Sequence, residues 1–341
     1  MTTPLAHFAI PVRNVGPWLN DALQSLQAQT EPRWTATIVD DDSEDETGEI
    51  AKAWAAREPR MQVVQQGRLG LVGALNRAVE DRGTVPFVAR FDGDDLCHPH
   101  RLERQIKFLS NHPKVDVLDS RFSLGEPDEC VLGGMLRYRD WHDSIESHED
   151  FKREFLVENP VCHPASIVRA ATLERVISTQ SLYREGDFPE DYDLWLRLLR
   201  AGARFHKLAE RLVVWRDRPT RSTRTDPVYR RDAFFTVKWS HLQQQLNLGS
   251  ERLVVWGAKK GGKPWIRALS HAGHPPVAVV DIDPKAIGST RHGIPVVSPD
   301  ELAATDPDRV LIAVGSSGAR QLIEAKLNEL DLASIAVVGF T

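Results

Sequence analysis

Cysteine is scarce in this chain. The 341 residues hold three, Cys97, Cys130 and Cys162, far apart and with no C-x-x-C pair. That argues against a disulfide framework and makes a reducing compartment, the cytoplasm, the default expectation. No apolar run approaches the roughly 20 residues needed to cross a bilayer. The opening Met1-Thr2-Thr3-Pro4 carries neither a basic stretch nor a long apolar stretch, so no secretory signal is expected. Basic charge is not in excess either. Lys and Arg number 43 against 48 Asp and Glu, a net charge of −5, which argues against a general nucleic-acid binder. Low-complexity tracts and internal repeats are absent from the sequence. What remains is 41% hydrophobic and 27% charged, the composition of a globular chain long enough for about two domains.

The first half alternates strand and helix patterns. Leu5 to Ile10 reads as a strand stopped by Pro11, followed by a turn at Pro11-Val12-Arg13-Asn14. Leu19, Leu23 and Leu26 then lie on one helical stripe. Trp34 to Val39 reads as a second strand and Thr47 to Arg57 as a helix. Met61 to Gln65 reads as a third strand, and a helix with Leu71, Leu75 and Val79 on one face follows. Val85 to Phe91 reads as a fourth strand. This order predicts a parallel sheet, whose ligands bind beyond the carboxyl ends of the strands.

Acids crowd two of those ends. The second strand runs into Asp40-Asp41-Asp42-Ser43-Glu44-Asp45 and the fourth into Asp92-Gly93-Asp94-Asp95. Carboxylates packed this closely repel unless a cation or donor offsets them, and hard oxygen ligands suit Mg²⁺ or Mn²⁺. Gly93 removes side-chain bulk where a ligand would approach the backbone. A calcium loop is excluded. Asp92, Asp94 and Glu103 fit its first, third and last ligand positions, but Leu96 and Cys97 stand where an oxygen ligand and the turn glycine belong. In the first cluster, Ser43 or Asp45 is also placed to cap the helix at Thr47.

Downstream, a helix opened by Pro99 carries Leu102, Ile106 and Leu109 inward, and Val115 to Leu118 reads as a strand. Asp119 to Phe151 follows no clear period. Glu190-Asp191-Tyr192-Asp193-Leu194-Trp195 starts a helix whose first-turn acids, on spacing alone, favour a capping role over a chemical one. Arg211 to Trp215 reads as a strand. Arg216, Arg218, Arg221, Arg224, Arg230 and Arg231 follow, either as a solvated face or as forks for diphosphate oxygens or an anionic surface. Tyr229 to Leu248 reads as a helix.

Taken in order, these pieces resemble family 2 glycosyltransferases of the GT-A fold over residues 5 to 225. Pro11-Val12-Arg13-Asn14 resembles the family's first-strand turn. Val39-Asp40-Asp41-Asp42-Ser43-Glu44-Asp45 resembles V-D-D-G-S-x-D, with Asp42 in place of glycine. Leu75-Asn76 is placed like the asparagine that precedes the metal motif. Asp92-Gly93-Asp94-Asp95 is similar to D-x-D-D, and Pro99-His100-Arg101-Leu102-Glu103 with Gln105 is similar to a segment that follows it in one bacterial branch. Glu190-Asp191 resembles the E-D pair that carries the base.

The resemblance implies the roles. Asp41 contacts the nucleotide base, Asp92 the ribose, Asp94 or Asp95 the Mn²⁺ or Mg²⁺ ion, and Asp191 is the general base of an inverting transfer. Pro11, Arg13, Asn14, Asn76, Arg216 and Arg218 complete the expected donor site. Arg218 stands where many relatives place a histidine; His163 either compensates for it or, as the preferred reading, is a loop histidine near the acceptor cleft or a satisfied structural one. A nucleotide-sugar donor, with a UDP-sugar favoured, and a saccharide or lipid-linked saccharide acceptor follow from the resemblance. So do a role in bacterial surface polysaccharide or glycoconjugate synthesis and peripheral contact at the inner face of the membrane.

Residues 1–226 are thus expected as a GT-A domain, 227–250 as a helical linker and 251–341 as a small Rossmann-like α/β domain. In the last, Gly257-Ala258-Lys259-Lys260-Gly261-Gly262-Lys263 approaches two phosphate-binding motifs and completes neither. Pro264 replaces the P-loop hydroxyl residue and Lys259 replaces the second glycine of G-x-G-x-x-G, although Asp281 stands where a ribose acid belongs. A docking or regulatory module is the expectation there. Two alternatives for the whole chain remain: a sugar nucleotidyltransferase, which needs a basic glycine-rich loop where only Arg13 is available, and a non-catalytic sugar-nucleotide-binding protein.

Overall fold

A computed structural model describes residues 3–125, 133–178, 180–216, 218, 221–245, 250–316 and 318–339. Cys130 and Asp217 lie outside these residues, as does the end of the helix expected to reach Leu248. The chain divides into two compact units. One comprises Met1–Lys152, Pro160–Gly186 and Glu190–Thr225, the other Arg153–Asn159, Asp187–Pro189 and Asp226–Thr341.

The first unit begins β1 (Ala6–Val12), α1 (Gly16–Gln27), β2 (Trp34–Asp41), α2 (Thr47–Arg57), β3 (Met61–Gln66), α3 (Gly70–Glu80) and β4 (Phe87–Arg90). It continues with β5 (Leu96–Cys97), α4 (Arg101–Asn111), β6 (Val117–Leu124), α5 (Gly133–Asp143) and α6 (His148–Glu154). Then come β7 (Ile167–Arg169), α7 (Ala170–Ile177), α8 (Glu190–Arg200), β8 (Phe205–Trp215) and α9 (Ser222–Thr225). Its sheet has the order β3-β2-β1-β4-β7-β6-β8-β5. The first four strands are parallel. β4–β7, β7–β6 and β8–β5 are antiparallel, and β6–β8 is parallel, so the sheet is mixed. This is the expected α/β architecture.

The register sets the site. Ala9 lies opposite Arg90 and Val12 opposite Asp40. The acids after β2 and β4 therefore leave one edge of the sheet together. Beneath them Phe8 and Ile10 of β1, Trp34 and Ile38 of β2 and Phe91 pack with Leu19, Leu23 and Leu102 of the flanking helices, all essentially buried. Pro11 does not stop β1, as its sequence suggests. It lies beyond Ala9, the last residue of β1 that pairs with β4, where a strand tolerates a missing donor.

The irregular stretch from Asp119 holds the rest of β6, α5 and α6. β8 starts at Phe205, six residues before the expected strand. His206, Lys207 and Glu210 hide that half from an apolar pattern, yet Lys207 is buried, its ammonium donating to the carbonyls of His142 at 2.7 Å and Pro160 at 3.1 Å.

The second unit contains α10 (Arg231–Gln245), β9 (Leu253–Trp256), α11 (Gly262–His271), β10 (Ala278–Val280), β11 (Thr290–Arg291) and β12 (Ile294–Val297). β13 (Arg309–Ile312), α12 (Ala319–Glu329) and β14 (Ala336–Val338) complete it. Its sheet order is β11-β12-β10-β9-β13-β14, parallel apart from the β11–β12 pair. Core residues lie on both faces, Val255, Trp265 and Ile266 on one and Val254, Ile312 and Leu327 on the other. A parallel sheet covered on both faces is the doubly wound arrangement.

Candidate active site

Three carboxylates converge after β4. One oxygen each of Asp92, Asp94 and Asp95 lies within 4.8 Å of the others. Asp94 and Asp95 are buried. Gly93 permits this turn, though not by making room for a ligand. A Cβ there would stand 2.6 Å from Cγ1 of Val12, so glycine is required by packing against β1.

Guanidinium groups surround the cluster. Arg90 donates to Oδ1 of Asp92 at 2.6 Å, and Arg221 lies 3.5 Å from both Oδ2 of Asp92 and Oδ1 of Asp95. Arg218 places Nε at 2.9 Å and Nη2 at 2.8 Å from Oδ2 of Asp94. The backbone N–H of Arg216 donates to Oδ1 of Asp95 at 2.9 Å. Aromatic faces hold the two outer arginines: Arg218 sits 4.3 Å from the Trp18 ring centre and Arg221 4.6 Å from that of Trp215.

The balance differs for each acid. Burial pushes the Asp92 carboxyl up, but Arg90 and then Arg221 outweigh it and hold it below its ordinary value. Burial raises the Asp95 carboxyl well above its ordinary value; Arg221 opposes this, and the neighbouring Asp94 and Asp92 add to it. Among the described residues nothing hydrogen-bonds Oδ2 of Asp95, although it is buried. A buried, unpartnered carboxylate oxygen facing two other acids is the donor set a hard divalent cation takes, so these residues fit Mg²⁺ or Mn²⁺.

Arg90 also lies in the field of Glu190, and Tyr183 in that of Arg90, Glu190 and Asp191. The start of α8 and the end of β4 therefore face one another across Arg90 and Tyr183. Asp191 is half-buried in the first turn of α8, and one of its oxygens accepts from the Tyr192 N–H at 2.7 Å. Asp193, two residues on and buried, is occupied by Arg184 and by Nε of Arg197 at 2.8 Å. The three first-turn acids thus separate into different environments.

His163 is buried, its Nε2 lying 2.9 Å from the Tyr183 hydroxyl and its ring edge-on to Trp195. Burial, then Arg90, push its imidazole well below the usual range, so it is neutral. Arg101 and Gln105 form a buried bracket. Arg101 donates to the carbonyls of Arg90 at 2.9 Å and Ser166 at 3.1 Å, and Gln105 donates to that of Ala165 at 2.8 Å. The bracket ties the end of β4 to the loop that carries His163.

Other expected donor-site residues are engaged by protein partners. Asp41 accepts from Gln66 at 2.8 Å and from the backbone N–H groups of Leu69 and Gly70, each at 2.9 Å, which caps α3. Asn76 pairs both ways with the Tyr183 backbone at 2.9 Å. Asn14 accepts from the Glu44 N–H at 2.9 Å, its own N–H donates to Ser43 at 3.0 Å, and Arg13 lies 3.6 Å from Glu44. This lacing joins the turn after β1, just beyond the buried Pro11, to the acidic loop after β2. In that loop Asp42 adopts φ 60°, so a left-handed residue occupies the place of the motif's glycine. The sequence missed Arg90, because a charged residue inside a short strand offers no motif. It also missed the pairing of Arg221 with acids more than a hundred residues away.

Residues 8–171 match the glycosyl transferase family 2 model. The putative glycosyltransferase EpsE of Bacillus subtilis is 29% identical over 201 residues, covering 58% of this chain and 68% of that protein. The amylovoran biosynthesis glycosyltransferase AmsE of Erwinia amylovora is 35% identical over 185 residues, covering 54% of this chain and 65% of that one. The chain therefore spans about two thirds of the length of these relatives, and the family model's match ends at residue 171, before most of the second unit. The crystal structure of S. aureus TarS 1–349 in complex with UDP-GlcNAc superposes with a TM-score of 0.56 at 19% identity, covering 71% of this chain and 66% of that one, a likeness of fold. Its strand order, its acidic strand ends and its matched span make the first unit similar to family 2 glycosyltransferases and give it their GT-A fold; a second α/β unit follows.

Proposed function

We propose that this chain moves a sugar from a nucleotide-diphosphate donor, a UDP-sugar, to a hydroxyl acceptor with inversion at the anomeric carbon. The observation that carries the reading is the convergence of Asp92, Asp94 and Asp95 within 4.8 Å, ringed by arginines, at a sheet edge where such folds bind ligands. In this reading Asp94 and Asp95 hold Mn²⁺ or Mg²⁺, and Asp92 lies against the ribose. Arg216 and Arg218 take the diphosphate, whose oxygens match their forks. Asp41, Asn76, Pro11, Arg13 and Asn14 line the nucleoside side. A divalent cation on the cluster supplies positive charge against the diphosphate leaving group.

Asp191 accepts the proton of the acceptor hydroxyl as that oxygen bonds to the anomeric carbon. The bond from that carbon to the diphosphate breaks, and the nucleoside diphosphate departs with the electron pair. A single base, with no second carboxylate assigned as a nucleophile, supports inversion. UDP is favoured because a protein of like fold, TarS, was crystallised with UDP-GlcNAc. Surface polysaccharide synthesis is supported by the relative named for amylovoran biosynthesis. Among the described residues no helix is long and apolar enough to cross a membrane. A lipid-linked acceptor would then be met by peripheral contact through the exposed arginines near Arg224.

A donor panel tests the reading. UDP- and GDP-sugars are incubated with Mn²⁺, with and without chelator, and nucleoside diphosphate release is measured. Chelator-sensitive release from one donor supports it. Release of pyrophosphate from a nucleoside triphosphate and a sugar phosphate would replace it with nucleotidyl transfer, and binding without release would leave a sensor.

A further inference from the structure

We propose that Arg218 is an internal counter-ion on Asp94 that couples the binding of a divalent cation to the binding of the diphosphate. The inference rests on the metal-dependent reading above.

Both donors of the Arg218 fork within reach, Nε and Nη2, converge on one oxygen, Oδ2 of Asp94, at 2.9 and 2.8 Å. The pair is largely shielded, with the Arg218 side chain 19% exposed and that of Asp94 9%. Trp18 covers the guanidinium face. A shielded charge pair of this kind is screened far less than a surface one. A cation bound through Oδ2 of Asp94 competes with Arg218 for that oxygen, and one bound through the other oxygen stands beside a guanidinium that it repels, so cation binding weakens the hold of Asp94 on Arg218. Removed from Asp94, Arg218 needs a new anion. The diphosphate supplies it, with oxygens that match the same fork.

The two ligands therefore help one another. The cation releases the arginine, and the diphosphate accepts it. By linkage the effect is reciprocal, and couplings of this sort are commonly about 5- to 150-fold. Arg221 does not share the role, because it bridges Asp92 and Asp95 with a side chain only 8% exposed and is less free to leave.

The test measures Mn²⁺ binding by electron paramagnetic resonance on the full chain, alone and with UDP or GDP, in wild type, Arg218→Gln, Arg218→Lys, Asp94→Asn and Asp95→Asn. In wild type either nucleotide is expected to raise Mn²⁺ affinity at least about tenfold. Arg218→Gln is expected to bind Mn²⁺ alone about fivefold or more tighter than wild type and to lose most of the nucleotide effect. Arg218→Lys, which restores a positive charge, is expected to return Mn²⁺ affinity toward wild type. Mn²⁺ binding by Arg218→Gln no tighter than wild type overturns the proposal. If binding nevertheless disappears in Asp94→Asn and Asp95→Asn, the metal-dependent reading survives that failure. Mn²⁺ binding that ignores both aspartates, or that is absent with and without nucleotide, sinks the metal site and the coupling together.

Discussion

Replacing Asp193 by alanine should damage the fold rather than the chemistry. Asp193 is 2% exposed and receives Nε of Arg197 at 2.8 Å and Nε of Arg184 at 2.9 Å. Arg197 is equally buried, and its other contact is Nη2 to the Leu182 carbonyl; Nη1 has no partner among the described residues. Removing the carboxylate leaves a buried guanidinium without its counter-ion. Breaking a buried pair from one side costs about 3–5 kcal/mol. For a unit of this size, each kcal/mol moves the midpoint by about 2–4 °C, so a fall of about 6–20 °C is expected. The double change Asp193→Ala with Arg197→Met removes both charges and should recover most of that loss, since an apolar replacement of a buried pair is often neutral or better. Thermal unfolding followed by near-ultraviolet circular dichroism reads both. A single-variant shift under about 2 °C, or a double variant no better than the single, refutes the claim that the pair is buried and interdependent.

The neighbouring acid should behave in the opposite way. Asp191→Asn is expected to keep the melting temperature and nucleotide affinity while turnover falls about 10²- to 10⁴-fold, and equal loss of binding and turnover would remove its assignment as base. In the second unit, Gly262→Ala would put a Cβ 1.7 Å from the Gly257 carbonyl oxygen. Overpacking of this kind costs about 1–3 kcal/mol or more, so hydrogen exchange should rise across residues 250–339, and unchanged protection would contradict the close approach. His7 supplies a pH dependence. Burial lowers its imidazole from 6.5 to about 4, so the unfolded chain binds the proton more readily. Stability should be complete above pH 6.5 and decline as pH falls toward 4, by about 3 kcal/mol in total. Urea unfolding at pH 7 and 4.5 should show a smaller difference for His7→Gln than for wild type, and identical differences would exclude His7 as the source.

Periodicity made the parallel half of the first sheet legible. Leu19, Leu23 and Leu26 do line the buried face of α1, and the strands at Trp34, Met61 and Leu253 begin where β-branched and apolar runs begin. The strands at Phe205 and in the Asp119 region escaped because polar residues there are satisfied by distant partners. Lys207 reaches His142, 65 residues away, and Asp119 accepts from His142 Nε2 at 2.8 Å. The candidate site was legible as an acidic strand end but not as an ion-paired one. Arg218 meets Asp94 across 124 positions, and no local pattern records that contact. The glycine turn after β9 teaches the reverse. Its near-fit to phosphate motifs is explained by the turn's packing against neighbouring strand ends: Gly261 passes so close to Ala313 that a Cβ would lie 2.2 Å from its carbonyl oxygen. Asp281 accepts from the Ala258 N–H at 3.1 Å, and Lys259 pairs with Asp283 at 2.9 Å.

Charge accounting at the end of β4 joins these observations. Asp92, Asp94 and Asp95 bring three carboxyl groups into a largely buried space, and Arg90, Arg218 and Arg221 bring three guanidinium groups to their oxygens. Three acids alone in that space would have to take up protons or push the turn apart. With the arginines present, the turn is held together by protein groups, and the cluster does not repel an approaching diphosphate as bare acids would. The same neutrality weakens its pull on a cation, so a metal must compete for its ligands rather than merely find them. An acidic motif that looks cation-hungry in the sequence is, in the fold, a set of ion pairs waiting to be exchanged, and the arginines set how readily that exchange occurs.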